Sequence, residues 1–151
     1  MRRRAFTSAL LLCLVGCGGA REPVVEEAEF GVFFGGQVQE LKEIKKELDP
    51  ARQKHGFRLT FRAPLVTDLK VSWELSLPAT DAGPRAALVG ATTARAGERR
   101  LDVPLAFRPQ DPLGLWHAKV DAAGRTVIDR DFVVVAASPA PKSAPKPALA
   151  R

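Results

Sequence analysis

The sequence predicts an all-β sandwich. Apolar and polar residues alternate strictly in several short runs, and Pro- or Gly-containing breaks separate those runs. The region carrying them, residues 30–137, has the length of one domain.

The elements follow in chain order. Phe30 to Phe34, with Gly35-Gly36 behind it, reads as one arm of a hairpin. In Val38 to Leu48 the apolar residues Val38, Leu41, Ile44 and Leu48 recur at helical spacing among good helix formers. A short helix near 38–48 and a strand stand as equal alternatives there, and the sandwich accommodates either. His55-Gly56 marks an exposed turn. Phe57, Leu59 and Phe61 then alternate with Arg58, Thr60 and Arg62 up to Ala63-Pro64. Leu69, Val71, Trp73, Leu75 and Leu77 alternate with Lys70, Ser72, Glu74 and Ser76 and stop at Pro78. Each such run is a strand with one buried and one wet face.

A weaker strand lies in Ala87 to Ala94, between Gly83-Pro84 and Gly97. Leu101, Val103, Leu105 and Phe107 form another alternating set, with Pro104 inside it. Because proline donates no N–H to a ladder, that strand belongs at an edge or carries a bulge. Trp116, Ala118 and Val120 alternate with His117 and Lys119, Ala123-Gly124 turns the chain, and Val127 to Val135 is the final strand. Trp73 and Trp116 share the apolar parity of their strands, so both are assigned to the core. Of the adjacent Phe33 and Phe34, one must face outward in an extended chain.

From Gly114 to Val134 the pattern Gly114-Leu115-Trp116, Val120, Gly124, Val127, Phe132 and Val134 resembles the closing hairpin of bacterial immunoglobulin-like and fibronectin-type modules. The resemblance implies an immunoglobulin-like β-sandwich without the inter-sheet cysteine pair of antibody domains. It implies no particular activity, since such folds host many functions.

The ends differ in composition from the middle. Arg2, Arg3 and Arg4 precede an apolar run from Ala5 to Val15, which at about 11 residues is too short to cross a bilayer as a helix and fits a cleaved secretory signal. Leu14-Val15-Gly16-Cys17 resembles the lipobox of bacterial lipoproteins. That resemblance implies cleavage of residues 1–16 as a signal peptide and lipidation of Cys17. With two or three acyl chains the protein would be held durably at a membrane of the cell envelope. Cys13 fits poorly because bulky Leu12 precedes it. Gly18 is not the aspartate that marks inner-membrane retention in some lipoprotein systems, so an outer membrane is the expected destination where the cell has one. Residues 17–29, acidic and interrupted by Pro23, read as a tether, and residues 138–151, rich in Pro, Ala and Lys, as a disordered tail.

The basic excess lies in those ends. Between Val25 and Ala136 the chain carries 16 basic and 16 acidic residues, so the domain is neutral and lacks a nucleic-acid footprint. No catalytic set emerges from the sequence. His55 and His117 are far apart and read as exposed, and no spacing suggests a zinc site. Asp129-Arg130-Asp131, with Asp111 as a possible third member, reads as a solvated strand edge in preference to an acid pair or a cation ligand. Ser72 and Ser76 have no histidine nearby, Gly35-Gly36 is too sparse for a phosphate loop, and Lys42 to Glu47 is a solvated face of mixed sign. No cofactor and no metal are expected. The expected function is a lipid-anchored, non-catalytic envelope module with a protein partner. A carbohydrate- or peptidoglycan-binding module is the alternative, and a small envelope hydrolase the third reading.

Replacing Cys17 by Ala should abolish incorporation of labelled fatty acid and leave the precursor unprocessed by the lipoprotein pathway. Undiminished labelling of that variant in growing cells would overturn the lipobox assignment.

Overall fold

The computed structural model describes residues 22–79 and 86–137. Cys17, the signal segment and the tail from Ser138 lie outside the described residues. The strands are β1 (Val25–Phe34), β2 (Gln37–Gln39), β3 (Glu43–Lys46), β4 (Lys54–Phe61), β5 (Leu69–Ser76), β6 (Ala87–Ala94), β7 (Arg100–Leu105), β8 (Gly114–Ala122) and β9 (Arg125–Ala136). They form a four-stranded sheet in the order β2-β1-β4-β7 and a five-stranded sheet in the order β3-β9-β8-β5-β6. The pairings are antiparallel except β3 with β9, which run parallel.

Alternation places the core. On β4, Phe57, Leu59 and Phe61 are fully buried, and the register sets Phe57 between Phe30 and Val103. Opposite them, β8 and β9 contribute Trp116, Ala118, Val120, Ile128, Phe132 and Val134. Trp116 is at the centre: its ring meets Phe107 edge-on with centroids 5.8 Å apart and lies 6.0 Å from Phe132, which in turn touches Phe30 at 4.9 Å. Its indole Nε1 donates to the Pro112 carbonyl at 3.0 Å, so the buried polar atom keeps a partner.

Several boundaries depart from the sequence reading. No helix occurs among the described residues, and of the two alternatives for 38–48 the strand holds, with β2 and β3 in that stretch. Val38 and Ile44 are buried, Ile44 within the core, but Leu41 and Leu48 are exposed, so the helical spacing was coincidental. The first strand starts at Val25, inside the segment assigned to the tether, because Val25 and Ala28 pack on the core while Glu26 and Glu27 face water. The Phe34-Gly35-Gly36-Gln37 hairpin is as expected, with φ of 56° and 81° at the two glycines, the geometry that primed two-residue turns demand.

Trp73 has the predicted parity but is only half-buried. It lies on β5 beside β6, the outermost strand of the wider sheet, and its ring covers Gly90. A Cβ on Gly90 would stand 2.2 Å from the ring carbon Cζ2, so glycine is the residue that lets the indole lie flat there. Lys70 on the other face of β5 is exposed.

The tryptophans should therefore separate in urea melts. Trp116→Ala should cost about 3–5 kcal/mol, the full transfer-plus-cavity loss of a buried Trp. Trp73→Ala should cost only about 1–2 kcal/mol, in proportion to its half-buried surface, and Lys70→Ala should be silent. Equal costs for the two Trp variants would show that the two sheets do not close over Trp116.

Candidate functional site

The polar residues singled out in the sequence fall into separate clusters. His117 on β8 faces the β9 strand, in register with Asp131. Its Nδ1 lies 2.8 Å from Asp131 Oδ1 and its Nε2 3.3 Å from Asp129 Oδ1. The structure thus brings His117, Asp129 and Asp131 together, which sequence spacing had not suggested. The ring stands between the two carboxylates and is hydrogen-bonded to Asp131 through Nδ1. Among the described residues no group of three or more His, Cys, Asp or Glu has metal-binding geometry.

Arg130 does not sit between the two aspartates in space. It takes the opposite parity, donates to the Phe30 carbonyl at 3.1 Å and pairs with Glu40 at 2.9 Å, tying the two sheets together. Asp111 is remote from this group and buried. Its carboxylate accepts from the Arg108 backbone N–H at 2.8 Å and from Arg108 Nε at 3.0 Å, so it holds the 106–113 loop.

His55 is not at an exposed turn. It is the inward residue of β4 one step before Phe57, 3 % exposed, stacked on Phe107 with centroids 3.9 Å apart. Extending the Phe57-Leu59-Phe61 parity backwards would have found it. Burial lowers its pKa to about 4, with Asp111 opposing weakly.

Sequence reasoning also missed Arg58. On β4 its guanidinium faces out of the four-stranded sheet, yet a thin layer of neighbours covers it. Nε and Nη2 donate to Asp102 at 2.6 and 3.0 Å, Nη1 donates to the Gly36 carbonyl at 2.9 Å, and the Phe33 ring lies 5.8 Å away. The bond from Arg58 lowers the Asp102 pKa and raises that of Arg58. Nearby Glu29 is raised, chiefly by burial. Only the cross-strand register of Arg58 with Asp102 could have revealed this pair.

A groove of about 450 Å³ lies between Glu22–Val24 and Arg62–Thr67. Its lining is mostly apolar, with Glu22 and Arg62 as its charged members. Leu113, Leu115 and Val66 are exposed singly or in pairs. Phe34, at the hairpin tip, is 71 % exposed because it continues the inward row of Phe30 and Val32 past the end of the core, while Phe33 is the outward member of the pair and lies over Arg58.

The sheet edges differ more than the side chains do. β2 has three residues and β3 has four, with Glu43, Lys45 and Lys46 among them. On β7, the Phe61 N–H bonds the Arg99 carbonyl, which fixes the alternation and turns the backbone groups of Arg100, Asp102 and Pro104 outward. Charges and a missing N–H therefore guard that edge, as expected for Pro104. β6 is unguarded. Its eight residues, Ala-Leu-Val-Gly-Ala-Thr-Thr-Ala, include no charge and no proline. The Leu77 N–H bonds the Ala86 carbonyl, so Ala86, Leu88, Gly90, Thr92 and Ala94 face β5 and the N–H and C=O groups of Ala87, Val89, Ala91 and Thr93 face away. Among the described residues nothing pairs with those outward groups, and Val89 is 72 % exposed.

The comparisons with known proteins concern the architecture. No protein-family model matches the chain, and no curated protein matches it in sequence. Among solved structures, an immunoglobulin-like protein from Pseudomonas aeruginosa is similar over 78 % of this chain and 100 % of its own, with a TM-score of 0.56 and 20 % identity. The fold is immunoglobulin-like. At that identity the likeness carries nothing beyond the fold. The alkylpurine DNA glycosylase AlkC of Pseudomonas fluorescens matches over 72 % of this chain and 29 % of its own at a TM-score of 0.41 and 19 % identity, too distant to bear on function.

The buried His55 generates a pH dependence. Its folded pKa lies below the ordinary value of 6.5, so the unfolded chain binds the proton more readily and stability falls as pH drops from 6.5 towards about 4. The full effect is on the order of 3 kcal/mol. Urea midpoints measured from pH 7 to 4 should fall more steeply for the native sequence than for His55→Phe, which keeps the stacking on Phe107. Parallel curves would show that His55 is not buried as a neutral ring. Asp102 acts in a lower window, its contribution being present above the ordinary carboxylate value of 3.8 and lost as pH falls below it.

Proposed function

We propose that this chain is a lipid-anchored, non-catalytic module of the bacterial cell envelope that engages a protein partner by strand addition. The observation that carries the binding part is the β6 edge: eight uncharged residues whose outward backbone groups have no partner among the described residues. A strand in that state is a template for another chain, and native proteins ordinarily blunt it. The lipobox at Cys17 supplies the anchoring part, with an outer membrane as the favoured site where the cell has one. The polar clusters support a non-catalytic role, since His117 is engaged by two aspartates, Asp111 by a loop, and Arg58 by Asp102.

The carbohydrate-binding alternative calls for a row of exposed aromatic rings on one sheet. Among the described residues Phe34 stands alone as an exposed aromatic, and it is on a hairpin tip. Protein binding is therefore the reading favoured by the surface.

A photoreactive amino acid placed at Val89 in cells should cross-link to protein in the membrane fraction. The same probe at Glu43 on the short, charged β3 edge should give no such adduct. Adducts from Glu43 but not Val89, or adducts to polysaccharide only, would overturn the reading.

A further inference from the structure

Resting on that reading of the β6 edge, we infer that its occupant is a second copy of this chain, joined antiparallel through β6 so that the two five-stranded sheets become one. The strand is self-complementary. In the register that places Gly90 opposite Gly90 of the second copy, Val89 faces Ala91 and Ala87 faces Thr93, and the reverse pairs follow from the two-fold axis. All four residues with outward groups then meet four residues with outward groups, and every N–H finds a C=O. No charge stands opposite a like charge, because β6 has none.

The outer face permits this approach. Ala87, Ala91 and Thr93 are small, and Val89 supplies the one larger apolar side chain, 72 % exposed in the single copy. Val89 against Ala91 of the second copy would cover part of that surface. On the other face, Trp73 lies over Gly90, so β6 is supported from within by its own sheet and does not lean on a partner for its position. A charged peptide would find no counter-charge on this strand. The chain's own segment 138–151 has four prolines and is correspondingly poor in N–H donors. The other edges cannot join in the same way, being short or charged or, on β7, lacking the Pro104 donor.

An eight-residue ladder is a small interface, so reversible association with a Kd on the order of micromolar is expected. Sedimentation of the purified full chain in detergent, over a concentration series, should show single copies passing to pairs. Ala91→Pro removes an outward N–H and no bond to β5, so it should weaken pairing at least about tenfold without changing the circular-dichroism melt. A second pair of variants guards against misfolding. Val89→Lys/Ala91→Lys and Val89→Glu/Ala91→Glu should each remain single, since like charges then face one another, and an equimolar mixture should restore pairing. Restoration in the mixture supports the inference and its register. A chain that stays single at all concentrations, or pairing that ignores these substitutions, overturns it. If the purified chain stays single while Val89 cross-links to a different protein in cells, this inference fails and the protein-binding reading stands. If neither pairing nor a Val89 cross-link is found, both fall.

Discussion

Trp116 closes the sandwich, and much of the molecule is arranged around keeping it there. The indole is 1 % exposed and its Nε1 reaches the Pro112 carbonyl, which commits the 106–113 loop to lie over the core. That loop is then fixed from three sides. Asp111 holds Arg108, Lys46 Nζ donates to the Pro109 and Asp111 carbonyls at 2.6 Å each, and Phe107 stacks on His55. Through Lys46 the short parallel strand β3 is tied to the loop. The described residues hold no cysteine to join the sheets, so burial and these polar contacts provide the link that a disulfide gives antibody domains.

A sandwich of unequal sheets leaves a strand over. The four-stranded sheet covers the centre of the five-stranded one, and the strands at the rim are half-buried: Leu88 on β6, Leu101, Val103 and Leu105 on β7, Trp73 between them in character. The rims are treated differently. β7 spends its outward positions on Arg100, Asp102 and Pro104, and Asp102 also neutralises Arg58, so one residue both discourages pairing and completes a buried charge. β6 carries neither device. Side chains that would prevent association are thus present on one rim and absent from the other, and the proposed pairing at β6 rests on that contrast.

How far the sequence disclosed this depended on which interactions were local. Alternation along β4, β5, β8 and β9 is a property of neighbouring residues, so strands, core parity and the edge position of Pro104 were all legible. Segment 38–48 was not, because Ile44 is buried by a parallel pairing with β9, some ninety residues away, and no local period records that. The Arg58–Asp102 pair and the His117–Asp129–Asp131 cluster depend on cross-strand register, which is likewise invisible along the chain. His55 was misread for a different reason: the turn signal of Gly56 outweighed a parity that continued straight through it. Trp73 was placed on the right face, but burial depends on the width of the opposite sheet, which its own strand cannot encode.

The β6 edge was the weakest strand signal in the sequence, and the reason is the same as its proposed use. A strand that is buried on one face needs large apolar residues at alternate positions, and β6 has only Leu88 among its inward set of Leu88, Gly90, Thr92 and Ala94. The inward volume is supplied by Trp73 from the adjacent strand, whose ring occupies the space a side chain at position 90 would take. β6 is thereby released from packing the core itself and can present small, uncharged residues on its other face. What remains to be recognised there is mainly backbone. Hydrogen bonding to a backbone edge is indifferent to sequence, so specificity must come from fit along the outward row Ala87, Val89, Ala91 and Thr93 and from the charges that exclude pairing at the other rims. A partner strand with bulky or charged residues opposite Val89 would lose that fit, whereas a strand of the same small, neutral residues satisfies it at every outward position. β6 is itself a strand of that composition.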